Sequence, residues 1–318
     1  MTSPHVPVML NEMRDALFPR DGANYLDATF GAGGYSRALL EAANCNVWAI
    51  DCDPVAVDMG KDLARYYGSR FMVLEGHFGN MKALLADVGI SAVDGITFDL
   101  GVSSMQIDDP VRGFSFRADG PLDMRMSGAK GDVPSAADVV NYMAERELAD
   151  IIYRFGNERA SRRISRAIVK FRKRESITRT AQLAGLVRSI VRKPKSGLDP
   201  ATRTFQALRI YVNQELTELE KGLRGAEGLL LPGGRLVIVS FHSLEDRRIK
   251  KFLQQSSGVK PRPSRHMPDQ SVTQPPTFRL INRDVLRPTP SEISLNPRAR
   301  SAKLRWAERT CNPIQNAA

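Results

Sequence analysis

Four short apolar runs, each closed by a glycine or an acidic residue, mark out the first hundred positions. Residues 25–30 read as a buried strand that breaks into a glycine-rich turn at 31–34 and opens a helix through 36–40. Residues 47–50 give a second strand ending in Asp51 and Asp53. Residues 70–76 give a third that ends near His77 and Phe78, and residues 93–100 a fourth that contains Asp99 at its end. Strands alternating with helical segments predict βαβ units and a parallel sheet.

A simple doubly wound sheet would supply its fifth strand after one helix. Here the next convincing strand is 234–240, after the turn Leu231-Pro232-Gly233, so more than a hundred residues intervene. Within that gap, residues 136–142, 147–152 and 164–171 carry apolar side chains at i, i+3 and i+4. The pattern predicts an α/β fold in two parts: a sheet domain made of 1–106 and 213–318, and an inserted, mainly helical domain at 107–212. Residues 296–309 supply a last, antiparallel strand. The Pro-, Ser- and Gln-rich stretch 256–276 reads as a mobile loop.

Composition narrows the setting. With 42% hydrophobic residues in 318, the chain has enough apolar surface for a substantial core. No apolar run approaches a membrane span, and the N-terminus lacks a basic-then-apolar signal pattern, so a soluble globular protein is expected. Cys45, Cys52 and Cys311 show neither paired nor metal-ligand spacing. They point to the reducing cytoplasm, and to neither disulfides nor a metal.

The formal charge of +11 suggests a polyanionic partner, and its distribution says more. Residues 154–195 hold fourteen Lys and Arg against two acidic residues. Arg159, Arg162, Arg163, Arg166, Lys170, Arg172, Lys173 and Arg174 fall along one predicted helix with the apolar stripe Ile164, Ala167, Ile168 and Phe171. A solvated outer face and a nucleic-acid surface are the alternatives; the shortage of acidic i, i+4 partners favours the second. Two further stretches, 112–126 and 199–216, mix glycines, aromatics and arginines in a way that suits base stacking and phosphate holding better than scaffolding.

Candidate chemistry gathers at the strand ends. Gly31, Gly33 and Gly34 let backbone approach a ligand closely, and Asp51 lies at the distance where such sheets hold ribose hydroxyls. A plain tight turn is the competing reading. The run Gly31-x-Gly33-Gly34-Tyr35 lacks dinucleotide spacing, and Asp27 precedes it. That arrangement resembles motif I of class I S-adenosylmethionine-dependent methyltransferases, with Asp27 fixing the loop or the cationic methionine end. Residues 5–10 lead into a helix that covers the cofactor cleft, although His5 also reads as an exposed terminal residue. Phe78 either stacks on an adenine or closes the core. Asp99 belongs in the site, beyond a carboxyl end of the sheet. His242 reads first as a helix cap and second as an acid–base group.

The segments HVPVML, DATFGAGGYSR, AIDCDP, DLGVSS, RGFSF, DGPLDMRM, ATRTFQALRIYVNQEL, GGRLVIVSFHSLEDR and NPRARSAKLRWAER occur in this order from His5 to Arg309. As a set, they resemble the small-subunit ribosomal RNA methyltransferase H family. The resemblance implies a class I, Rossmann-like methyltransferase sheet with an inserted helical substrate-recognition domain. It implies methyl transfer from S-adenosylmethionine to N4 of a decoding-centre cytidine in 16S ribosomal RNA of the small ribosomal subunit. Implied cofactor contacts are Gly33, Gly34, Tyr35, Asp51, Phe78, Asp99 and Gln106. Tyr35 stands where many members have His, and Met105 where many have Pro.

The chemistry suggests Asp99 and Ser103, with the backbone around 101–103, as acceptors for the amine protons. Arg162, Arg163, Arg166, Lys170 and Arg203 are the expected RNA contacts, and unpaired or splayed-out RNA the expected substrate. Methylation at C5 would need a cysteine nucleophile, which the site loop lacks. A nicotinamide oxidoreductase and a non-catalytic RNA-binding protein are the rivals. The sequence leaves a homodimer open.

Overall fold

The computed structural model describes residues 7–129, 133–193, 197–258, 275–282 and 284–314. His5 and most of the 256–276 loop lie outside the described residues. The chain divides into two compact units, Met1–Gly101 with Thr217–Ala318, and Val102–Leu216.

In the first unit, helix α1 (Leu10–Leu17) precedes β1 (Asn24–Asp27), α2 (Gly34–Ala42), β2 (Asn46–Asp51), α3 (Pro54–Tyr67), β3 (Phe71–Glu75), α4 (Met81–Ala86) and β4 (Val93–Asp99). The inserted unit holds α5 (Ser104–Asp108), α6 (Ala136–Tyr142), α7 (Glu145–Gly156), α8 (Ser161–Arg172), α9 (Thr180–Ile190) and α10 (Thr202–Val212). The chain then continues through α11 (Glu215–Leu229), β5 (Leu230–Ser240), α12 (Ser243–Ser256), β6 (Phe278–Leu280), α13 (Pro290–Leu295) and β7 (Lys303–Arg309).

The seven strands run β3-β2-β1-β4-β5-β7-β6. Strands β1 to β5 pair in parallel, while β7 is antiparallel to both β5 and β6. The strand order reverses between β1 and β4, and the carboxyl ends of those strands are where an open sheet forms its ligand crevice. The central strands β1, β4 and β5 are buried on both faces, which is why they read as apolar runs rather than alternating ones. Leu26, Ile96, Phe98, Leu236 and Ile238 are wholly enclosed, packed with Leu219, Leu223 and Ile249 from the helices. Strand β5 starts four residues earlier than its apolar run. Leu230 pairs with Val93, and the Pro232-Gly233 segment lies in an irregularity before Arg235 meets Gly95.

The inserted unit has its own core, in which Val140, Leu148, Ile152, Ile164, Ile168, Leu183 and Leu208 are fully buried. Two expectations change here. The stretch 112–126 is scaffold: Leu122 and Met124 sit in this core, Leu122 N–H donates to Thr178 O at 2.8 Å, and Phe116 packs edge-on against Phe205 at 4.8 Å. The stretch 199–216 is mostly α10, whose Phe205, Leu208, Ile210 and Val212 are buried. Their aromatics are therefore spent on packing rather than on base stacking, although 112–126 remains irregular backbone. Helix α8 is also shorter than its charge run, leaving Arg159, Lys173 and Arg174 outside it.

Among the described residues no helix is long and apolar enough to cross a membrane.

Candidate active site

The turn after β1 is built by glycines with no room to be anything else. Gly33 has φ 78°, and a Cβ on Gly34 would lie 2.1 Å from the Pro7 ring. A side chain at 34 would clash directly, and an L-residue at 33 would be strained. The Phe30 and Pro7 rings therefore lie directly against the backbone at the start of α2. Asp27, fully buried at the end of β1, braces this loop: Ser36 Oγ donates to its Oδ2 at 2.7 Å and Thr29 N–H to its Oδ1 at 3.3 Å. Of its two alternative roles, bracing the loop is therefore the one these bonds perform. Burial pushes the Asp27 carboxyl up to about 6, against the lowering effect of the Ser36 bond.

Asp51 closes the other side of the turn. Its Oδ2 accepts from Gly31 N–H at 2.7 Å and its Oδ1 from Asp53 N–H at 2.9 Å. Each oxygen keeps a second lone pair, so the carboxylate is oriented and still able to accept. Burial raises its pKa too, again opposed by those two backbone bonds.

Asp99 ends β4. Its backbone N–H donates to Thr29 Oγ1 at 2.6 Å, which ties the end of β4 to the loop after β1. The side-chain Oδ1 is enclosed and has no hydrogen-bond partner among the described residues. Burial, then the negative charges of Asp27 and Glu245, push this carboxyl up to about 8. An unpartnered acceptor amid buried acids is costly unless a ligand completes it.

His242 is the N-cap of α12, as its position favoured. Its Nδ1 accepts from Glu245 N–H at 3.4 Å, and Glu245 Oε2 reaches back to the N–H groups of Phe241 and His242 at 2.9 and 3.2 Å. This reciprocal pair is a capping box, with His in place of the usual hydroxyl or carboxamide. Phe78 follows β3 and sits half-buried, edge-on to Phe98 at 5.5 Å, so at least one side of its ring closes the core.

Tyr35 does not extend into solvent, and its phenol lies close enough to Asp99 and Asp27 to feel their charges. It is buried, and its hydroxyl donates to Val8 O at 2.5 Å. In the inserted unit, Ser103 and Gln106 form a capping box on α5: Ser103 Oγ accepts from Gln106 N–H at 3.2 Å and Gln106 Oε1 from Ser103 N–H at 3.0 Å.

Arg162, Arg163, Arg166 and Lys170 of α8 are exposed, as is Arg203 on α10. Arg166 does have an acidic neighbour, Glu145 of α7 at 3.7 Å, and Arg203 has Glu158, from the turn between α7 and α8, at 4.0 Å; neither lies at i, i+4 spacing. Arg163 also donates to Ile190 O at 3.2 Å. Arg172 is turned to scaffolding, donating to Val140 O at 2.8 Å.

Thr29, Ser36 and Glu245 escaped the sequence reading. Of these only Glu245 carried a local signal, the three-residue spacing from His242.

Strand order separates this sheet from the dinucleotide-binding kind. A seventh strand slotted antiparallel between β5 and β6 is the mark of the class I S-adenosylmethionine-dependent methyltransferases. The site suits that cofactor, since the turn offers glycine backbone, Asp51 offers oriented oxygens, and the buried acids would be relieved by a sulfonium cation. The model of the MraW methylase family matches residues 2–310, and the chain belongs to that family. It is similar to "Ribosomal RNA small subunit methyltransferase H" of Rhodospirillum centenum, at 60% identity over 98% of this chain and 94% of that one. The protein of the same description from Paramagnetospirillum magneticum is 58% identical, with 98% and 97% covered. Among solved structures, a putative rRNA-methylase from Clostridium thermocellum is 13% identical with a TM-score of 0.43, covering 96% of this chain and 99% of that one.

Proposed function

We propose that this methyltransferase methylates the exocyclic N4 of a decoding-centre cytidine in 16S ribosomal RNA of the small ribosomal subunit. The printed descriptions of its relatives support the ribosomal RNA substrate, and the motif set supports the base. The observation that carries the chemistry is the unpartnered Oδ1 of Asp99 at the end of β4.

S-adenosylmethionine supplies a methyl group already activated by its sulfonium charge. Gly33, Gly34 and the backbone of Tyr35 hold the cofactor, Asp51 accepts from its ribose hydroxyls, and Phe78 packs beside it. Gln106 is assigned to the same ligand on its place in the motif after β4. Asp99 accepts an N–H of the cytidine amine. That bond localises a lone pair otherwise delocalised into the ring and stabilises the positive charge that grows on nitrogen. Asp99, raised to about 8 by burial and its acidic neighbours, would be held ionised by the charge that a sulfonium cofactor would supply. Ser103 Oγ, already accepting from Gln106 N–H, keeps its own proton and one lone pair for the base.

Positioning N4 in line with the methyl group is the remaining task, and it is worth several orders of magnitude in rate. Arg162, Arg163, Arg166, Lys170 and Arg203 hold RNA phosphates, with the target base splayed out of its stack. No covalent enzyme–base adduct is involved: Cys45 is buried against Leu39 O, and Cys52 follows β2 rather than β4.

Purified protein, labelled S-adenosylmethionine and undermethylated small subunits test this directly. Digestion of the RNA should place the label in N4-methylcytidine. Label in a C5-methylated base or in another nucleoside would overturn the assignment.

A further inference from the structure

The residues before α1 lie directly on the glycine turn. The Pro7 ring fills the space that a Gly34 Cβ would need, and Val8 O receives the Tyr35 hydroxyl at 2.5 Å. The next residue, Met9, is buried and adopts a left-handed conformation, φ 51° and ψ 40°. That is costly for a side chain of its size and persists only where the surroundings enforce it. What enforces it is visible: Met9 N–H donates to Glu292 Oε1 at 2.7 Å, from α13, 283 residues away in the chain. Glu292 is itself held at the start of that helix, its N–H donating to Thr289 Oγ1 at 3.2 Å. Residues 7–9 are therefore a strap with two polar anchors, one in the turn's own helix and one near the far end of the chain.

Strain, close packing and two long-range anchors at one three-residue segment are more than a chain entry to α1 requires. Leu10–Leu17 would pack its buried face, Met13, Ala16 and Leu17, without them. We propose that this strap sets the shape of the S-adenosylmethionine-binding turn, and that Tyr35 is a positioning residue acting through Val8 rather than a side chain that touches the cofactor. Burial keeps the phenol protonated across the physiological range, so it remains a donor. Glu292 is the second positioning residue. The inference rests on the methyltransferase reading of the turn but not on the cytidine assignment.

The test uses the full chain and S-adenosylhomocysteine as the probe, by calorimetry, so that no RNA enters the readout. Tyr35→Phe keeps the ring and removes only the bond to Val8; its dissociation constant should rise about five- to tenfold, the effect of one hydrogen bond. Glu292→Gln retains an acceptor for Met9 N–H and should rise less, about twofold, whereas Glu292→Ala should match Tyr35→Phe. Because both anchors hold one strap, the Tyr35→Phe/Glu292→Ala double variant should bind less weakly than the product of the single effects. Hydrogen exchange of residues 8–13 in the ligand-free protein should quicken in Tyr35→Phe while strands β4 and β5 stay protected. In turnover, KM for S-adenosylmethionine should rise with kcat held within about twofold. Unchanged affinity in Tyr35→Phe, or strictly multiplicative effects in the double variant, would overturn the proposal. A fall in kcat with KM unchanged would also overturn it. Tight binding of S-adenosylhomocysteine with no methylation of cytidine would instead sink the target assignment and leave the strap standing.

Discussion

The two units differ in where their charged groups gather, although the inserted unit also buries Glu158 and several hydroxyls. In the sheet unit, Asp27, Asp53 and Glu245 are buried and Asp99 has an enclosed oxygen, all at the carboxyl ends of strands or the caps that follow them. In the inserted unit the core is a run of Val, Leu, Ile and Phe, and the cations of α8 lie outside it. Burying acids without matching cations costs stability and is tolerated where a ligand completes the site. Massing cations on a surface costs little and serves a partner that brings its own negative charge. Under the proposed function one unit serves chemistry and the other grip, and each should fail in its own way when altered.

The largest effect should come from the inserted core. Phe205→Ala removes a buried ring packed on Phe116 and should cost about 3–5 kcal/mol in urea unfolding. RNA methylation should collapse with it while S-adenosylhomocysteine still binds; loss of both together would mean that the units do not fail separately.

Next is Asp99→Asn, which keeps shape and removes the charge. Methyl transfer should fall by about 100-fold or more. The same change should stabilise the ligand-free protein at high pH. The native pKa of Asp99 is raised to about 8 from an ordinary value near 4, so the wild type has its full stability from this group below pH ~4 and loses it as pH rises through about 8. Asparagine avoids that loss. Its advantage in urea midpoint should be absent near pH 4 and greatest above pH 8; an advantage independent of pH would contradict the buried-acid account. Asp27, raised to about 6, acts in the same direction over a lower window.

The charged face gives a smaller effect of a different kind. Arg162→Ala/Arg166→Ala/Lys170→Ala should weaken binding to ribosomal RNA about 10- to 100-fold at moderate salt. The slope of log affinity against log salt should flatten by about 2. Unfolding free energy should stay within about 0.5 kcal/mol per site, because all three side chains are exposed. Smallest of all is Cys52→Ser, expected to change turnover by less than about twofold; complete loss would revive a covalent mechanism.

Sequence patterns revealed what is repeated or local. Strands buried on both faces announced themselves as apolar runs, the glycine turn by composition, and the His242 cap by its place at a strand end. The Arg112–Met126 segment was misread because its Leu122 and Met124 are buried by partners far along the chain, such as Thr178, with no periodicity to betray them. Thr29 and Ser36 were invisible because they act through single hydrogen bonds that leave no pattern, Thr29 to both Asp27 and Asp99 and Ser36 to Asp27. Strand β6, at three residues beside a Pro-rich stretch, is too short to show a period. The left-handed Met9 has no sequence signature at all, since glycine or asparagine would be the residues to expect there.

The insertion also has a consequence for how the chain comes off the ribosome. Strand β4 pairs with β5, and roughly 130 residues separate them. At about 5–20 residues per second, that edge of β4 waits roughly 7–26 s for its partner. During that interval Ile96 and Phe98 belong to an open sheet edge, a surface prone to wrong pairing. The inserted unit, with mostly local helical contacts, can fold in the meantime. Nascent chains halted between α10 and β5 should therefore already resist protease within the insert while the sheet remains cleavable.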